Sequence, residues 1–191
     1  MSPEIRSFEF ALGLFSVLIG LAIAHIATAF SRLVRRGSTV IWDPLAVLAA
    51  LLAMLVAVNM WFDLWHVRGI AESRRYFFYL WTIVELLLVY LLAAVSLPQE
   101  TDEERDLRKY YEHNRRHFWI LVLLFRVSYT AHWFYYAAYQ SEDWRRMTID
   151  IGAGLAVPIV LLLTASRVTN YVGIIFLIGW LLWSFRSSSL T

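Results

Sequence analysis

LAVLAALLAMLVAVNMWFDLWH, residues 45–66, decides the fold. It contains no lysine or arginine, and its only acid is Asp63, close to its end. A bilayer core takes about 20 apolar residues of helix. Pro44 suits the first helical position and Asp43 suits the N-cap before it, so the stretch carries its own start signal. The reading is a membrane-spanning helix.

Five more stretches follow from the same criterion. Residues 8–30 are broken only by Glu9 and His25, and residues 76–97 are stopped by Pro98. Residues 118–139 form a fourth run. Residues 148–165 form a fifth, loosened by Gly152, Gly154 and Pro158, and 168–185 is the shortest. The expected fold is an all-α polytopic transmembrane helix bundle of about six spans, one integral membrane domain over 1–191. Composition agrees: 60% of the 191 residues are hydrophobic and 17% charged, whereas soluble domains run near 45–50% and 25%.

The first run resembles a signal peptide at Ala27-Thr28-Ala29. Its start is only weakly charged and its apolar part is too long, so a retained helix is expected. There is no cysteine, which removes disulfides, thiolate metal ligands, iron–sulfur clusters and cysteine nucleophiles. A net charge of +2 gives no footprint for nucleic acid. Lys109, the single lysine, lies in a polar stretch and does not suit a Schiff base in a helix core.

That polar stretch, residues 99–117, holds 11 of the 32 charged residues. Thr101 and Glu104 fit a capping box, and Glu104/Arg108 and Glu112/Arg116 stand at i,i+4. No glycine or proline separates it from the fourth span. One long helix is expected, projecting into water and running down into the membrane. Its face is either simply solvated or a docking surface for a protein partner. Loops opposite the N-terminal side hold nine Arg/Lys against seven, which places both termini outside, in a membrane of the bacterial inner type.

Small residues mark packing faces: Ser16, Gly20, Ala24 and Thr28 on the first span, and Ala46, Ala49, Ala50, Ala53 and Ala57 on the second. Such stripes let helix backbones approach closely in lipid. They pack the two spans together or form the seam of a homo-oligomer.

Ionisable groups at membrane depth point to function. Because neighbouring spans alternate in direction, Glu9, Asn59, Asp63, His66, Tyr129, His132, Tyr136 and Asp150 gather in the N-terminal-side half of the bundle. Glu85 and Arg126 fall near the midplane, either as an ion pair between helices or on a substrate or proton path. His25, alone near the other end of its span, reads as a histidine hydrogen-bonded inside the bundle. Asp63, His66 and His132 could supply three metal ligands. His113 and His117 lack the glutamate of the zinc-protease pattern, since Asn114 stands there. No hydrolase elbow or phosphate-binding loop occurs, and no cofactor is firmly implied.

Three classes fit. The one that absorbs most of these residues is a transport or channel protein with a polar vestibule, its path lined by Glu85, Arg126, Asn59 and Tyr129. The alternatives are a structural, assembly or signalling protein using residues 99–117, and a membrane-embedded metal or redox enzyme using Asp63, His66 and His132. The absence of an evident internal repeat weighs against an inverted-repeat transporter.

Overall fold

The computed structural model describes residues 3–36, 40–66, 76–99, 106–140 and 144–187. They form six helices: α1 (Pro3–Arg36), α2 (Pro44–His66), α3 (Tyr76–Ser96), α4 (Leu107–Gln140), α5 (Trp144–Leu163) and α6 (Arg167–Ser187). No strand occurs among the described residues, only an isolated parallel bridge between Ile41 and Asp106. The all-α bundle expected from the sequence is what the chain forms. Three helical stretches are long and apolar enough to cross a membrane: Glu9–Arg35, Pro44–Trp65 and Tyr76–Ser96. Gly154–Leu163 and Arg167–Trp183 are shorter apolar stretches.

Helix α2 lies at the centre, packed on α1, α3, α4 and α6. Around it the order is α1, α3, α4, α5, α6. The alanine stripe explains this position. Ala46, Ala49, Ala50, Ala53 and Ala57 are all buried, so neighbouring helices can draw close to the α2 backbone. Phe15, Leu52, Leu86, Phe118, Trp119 and Leu161 fill the core around it. Leu14, Val84, Leu124, Val172 and Trp183 point outward, an apolar surface of the kind that lipid covers.

The stripe on α1 behaves differently. Gly20, Ala24 and Thr28 are exposed, and a Cβ added at Gly20 would meet nothing within 4 Å. Helix α1 buries Leu12, Phe15, Ile19, Ala22, Ile26, Ala29 and Leu33 instead, chiefly against α3. The small residues therefore do not pack α1 onto α2. The large apolar side chains on the other face bury more area and determine which way the helix turns. Ser16 is half-buried and donates its hydroxyl to the Leu12 carbonyl at 2.6 Å.

From Leu107 on, the polar stretch runs unbroken into the fourth apolar run, as one helix of 34 residues. Asp106 caps it: Oδ1 accepts from the backbone N–H of Arg108 at 3.0 Å and of Lys109 at 3.3 Å. Thr101 and Glu104 lie outside the described residues. Asp43 is not a side-chain cap for α2. Its carbonyl accepts from Val47 N–H, while its carboxylate turns to Arg167.

Candidate polar site within the bundle

The end of the bundle where α2, α4 and α6 begin is held by a polar clasp. Arg167, opening α6, donates from Nη2 to Asp43 Oδ1 at 2.6 Å and from Nη1 to Glu112 Oε1 at 2.9 Å. Arg108 shares the same Glu112 oxygen at 3.2 Å. Glu112 therefore reaches back to Arg108 and across to α6, not forward to Arg116. Arg115 donates to the carbonyls of Leu161 and Thr164, which end α5. Tyr110 donates to the carbonyls of Val95 and Leu97 at the end of α3. Just inside, Asn170 Oδ1 accepts from Tyr111 Oη at 2.9 Å and Trp119 Nε1 at 3.0 Å. Its amide donates to the carbonyls of Ser166 and Thr164. Burial pushes the Tyr111 hydroxyl up to about 12, which keeps it a donor.

Hydrogen bonds from Arg167 and Arg108 hold the Glu112 carboxyl below its usual range. A carboxyl depressed in the folded state stabilises the fold above its unfolded pKa. That stability is lost as the pH falls through the folded value. Glu112 is half-exposed, so the contribution is small. Thermal melts of the native chain and Glu112→Gln should differ near neutrality and converge below about pH 4. A gap that stays constant across that range would take Glu112 out of the clasp.

The other half of the bundle holds the groups singled out in the sequence. Glu85, on α3, is 0% exposed. Its Oε2 lies 3.0 Å from His132 Nδ1, and its Oε1 accepts from Ser128 Oγ at 3.4 Å. Trp81 Nε1 donates to the same Ser128 hydroxyl at 2.8 Å, and the Trp81 ring stacks on His132 with centroids 5.1 Å apart. The Phe78 ring lies against the same imidazole, tilted, with centroids 5.0 Å apart. A carboxylate and an imidazole thus meet in an aromatic, water-poor setting.

A second pair lies between α2 and α4. Asp63 Oδ2 accepts from Asn59 Nδ2 at 2.6 Å and from Tyr129 Oη at 2.7 Å. The spacing of Asn59 and Asp63 put them on one helical stripe, and they do share it. Tyr129 and His132 are three residues apart on α4, so the two pairs are neighbours along one helix.

Arg126 faces elsewhere. Its guanidinium lies 5.9 Å from the Tyr129 ring centroid and fits a notch on α5 where a Cβ at Gly154 would overlap it. Pro158 lacks the N–H that would bond the Gly154 carbonyl, so α5 is locally loosened at that notch. The expected contact between Glu85 and Arg126 therefore does not form: positions 128 and 132 of α4 face α3, and position 126 faces α5. The residues singled out in the sequence thus fall into two groups, Glu85 with His132, and Asn59 and Tyr129 with Arg126 nearby.

Arg126, Asn59 and Tyr129 line a crevice between α2, α4, α5 and α6, completed by apolar side chains including Leu52, Val56, Phe176, Leu177 and Trp180. Its cavity volume is about 40 Å³, room for a few water molecules.

As potential metal ligands, His132 is engaged by Glu85 and Asp63 by Tyr129 and Asn59. Among the described residues, no group of three His, Cys, Asp or Glu side chains could hold an ion. The side chains of His66, Tyr136 and Asp150 lie outside the described residues, and Glu9 is half-buried on α1. His25 packs edge-on against Tyr90, and its buried Nε2 has no hydrogen-bond partner, contrary to the expectation of a bonded histidine.

Sequence reasoning missed the Arg167 clasp and the Asn170 knot. Its available signal was Asn170 itself, a lone amide beside an apolar run. No protein-family model, curated protein or solved structure matches this chain.

Proposed function

We propose that this chain is a small multi-pass membrane transport protein that moves protons through the half of the bundle holding Glu85, His132, Asp63 and Tyr129. The observation that carries the reading is the Glu85–His132 contact, a carboxylate fully buried against an imidazole between α3 and α4. Ionisable side chains are expensive at membrane depth, and Asp/Glu/His chains there serve as proton relays. A purely structural tie between α3 and α4 would need no titratable partners. The adjacent Asp63–Tyr129 pair offers the next donor and acceptor along α4. The clasp around Arg167 closes the opposite end, consistent with a path that opens from one side at a time. All six helices cross the bilayer in this reading, with the polar start of α4 outside it.

The test is proton flux into potassium-loaded vesicles carrying a trapped pH dye, with valinomycin supplying the driving potential. Vesicles with the native chain should change internal pH well above the rate of protein-free vesicles. Glu85→Gln should return the rate to that of protein-free vesicles. His132→Asn should lower it at least tenfold. Native flux at the protein-free rate would overturn the reading, and full flux in Glu85→Gln would remove Glu85 from the path.

A further inference from the structure

Charges along the polar stretch are sorted by their distance from the apolar run. Residues 100–106 hold five acids and one arginine, whereas residues 107–117 hold Arg108, Lys109, Arg115 and Arg116 against Glu112 alone. The apolar run opens at Phe118, so the basic band is the part next to the bilayer where α4 crosses it. Two of its four cations are engaged inside the protein. Arg108 shares the Glu112 carboxylate with Arg167, and Arg115 bonds the carbonyls that end α5. Lys109 and Arg116 are exposed, and neither side chain makes a hydrogen bond or ion pair among the described residues.

Their register decides what they face. At about 100° per residue, Lys109, His113, Arg116, Ile120, Leu124 and Val127 fall on one stripe of α4, and all six are exposed. The upper half of the stripe donates hydrogen bonds and carries positive charge, and the lower half is aliphatic. Arg116 and Ile120 are one turn apart, roughly 6 Å along the axis. The headgroup layer on each face of a bilayer is about 5–7 Å deep. Where Ile120 meets the first methylenes, Arg116 is therefore level with the phosphates. Helical side chains lean toward the N-terminus, which turns Arg116 toward His113 and away from the tails. Lys109 stands roughly 10 Å further out, within about one screening length of the same phosphate.

We propose that this stripe seats an anionic phospholipid, its phosphate against Arg116 and His113 and an acyl chain along Ile120, Leu124 and Val127. The transport reading enters only through the crossing of the bilayer by α4, on which the site rests. A molecule with a negative head and an apolar tail matches both halves of the stripe at once. An acidic protein segment would match the upper half alone. A zwitterionic head brings its own cation to the basic band and loses the attraction.

Native mass spectrometry tests the site. The chain is released from mild-detergent micelles holding equal amounts of phosphatidylglycerol and phosphatidylcholine, and the bound lipids are counted. One surface cation strengthens anionic lipid binding about fivefold. Single-lipid adducts of the native chain should therefore favour phosphatidylglycerol by about fivefold or more. Lys109→Gln combined with Arg116→Gln should bring the ratio close to one without lowering the total of bound lipid. The exchange Lys109→Arg with Arg116→Lys keeps both charges and should hold the native ratio. Both variants should melt with the native chain, since exposed side chains without partners contribute little to the fold.

Equal adducts of the two lipids on the native chain would overturn the site, leaving α4 a span and its upper stripe to a protein partner. A preference for phosphatidylglycerol that survives in the double glutamine variant would also overturn it, because the head would then sit elsewhere. Absence of bound lipid of either kind would overturn both the site and the crossing of α4. The measurement uses no gradient, so a failure of proton flux leaves the lipid ratio standing.

Discussion

Asn170→Leu is expected to lower the melting temperature in mild detergent by about 6–12 °C. Asn170 is 1% exposed, and its Oδ1 is the common acceptor for Tyr111 Oη and Trp119 Nε1. Leucine has the same branched skeleton of four side-chain heavy atoms, so the change leaves no cavity and removes the polar contacts. The two carbonyls bonded by the Asn170 amide keep other donors: Thr164 accepts from Arg115, and Ser166 accepts from the Asn170 backbone N–H. The loss therefore falls on the two buried donors. Trp119 and Tyr111 retain only their mutual contact at 3.3 Å. An unsatisfied buried group costs about 1–3 kcal/mol. The two together cost about 3 kcal/mol, and each kcal/mol shifts a chain of this size by about 2–4 °C. Tyr111→Phe removes one donor and leaves Trp119 bonded, so its drop should be about a third as large. Circular dichroism melts in one detergent check the series. A leucine variant that melts with the native chain would show that Asn170 is packing alone.

The contrast between α1 and α2 shows how far the sequence could be read. Span existence was legible at residues 45–66, since length and hydropathy follow from bilayer thickness. Orientation about the helix axis was legible for α2, where the alanine stripe is the narrowest side and neighbours crowd it. It was not legible for α1, where large side chains on the opposite face outweigh Gly20, Ala24 and Thr28. Small residues permit close approach, but they do not attract a neighbour.

The candidate site shows a similar division. Asn59–Asp63 could be read because i,i+4 spacing is local. The partner of Glu85 could not. Depth placed Glu85 near Arg126, but depth ignores the rotation of α4, which turns His132 and Ser128 to α3 and Arg126 to α5. The clasp joins Asp43 to Arg167 across 124 residues of sequence, and no spacing rule reaches that far.

The Glu85–His132 pair yields the other large effect, and a double-mutant cycle separates its structural from its functional role. His132→Leu should destabilise the bundle by about 3 kcal/mol, because it strands a fully buried carboxylate with only the long Ser128 contact. Glu85→Leu should destabilise less: the imidazole keeps its stacking on Trp81 and its contact with Phe78. Combining the two should recover most of the His132→Leu loss, since replacing both members of a buried pair by apolar groups is often neutral. Strictly additive melting shifts would show that the two side chains do not act as a pair. The cycle also bears on transport. If the pair only ties α3 to α4, the double variant should pass protons as the native chain does. If it carries the proton, the double variant should fold with near-native stability and conduct none, because leucines restore packing but neither accept nor release a proton.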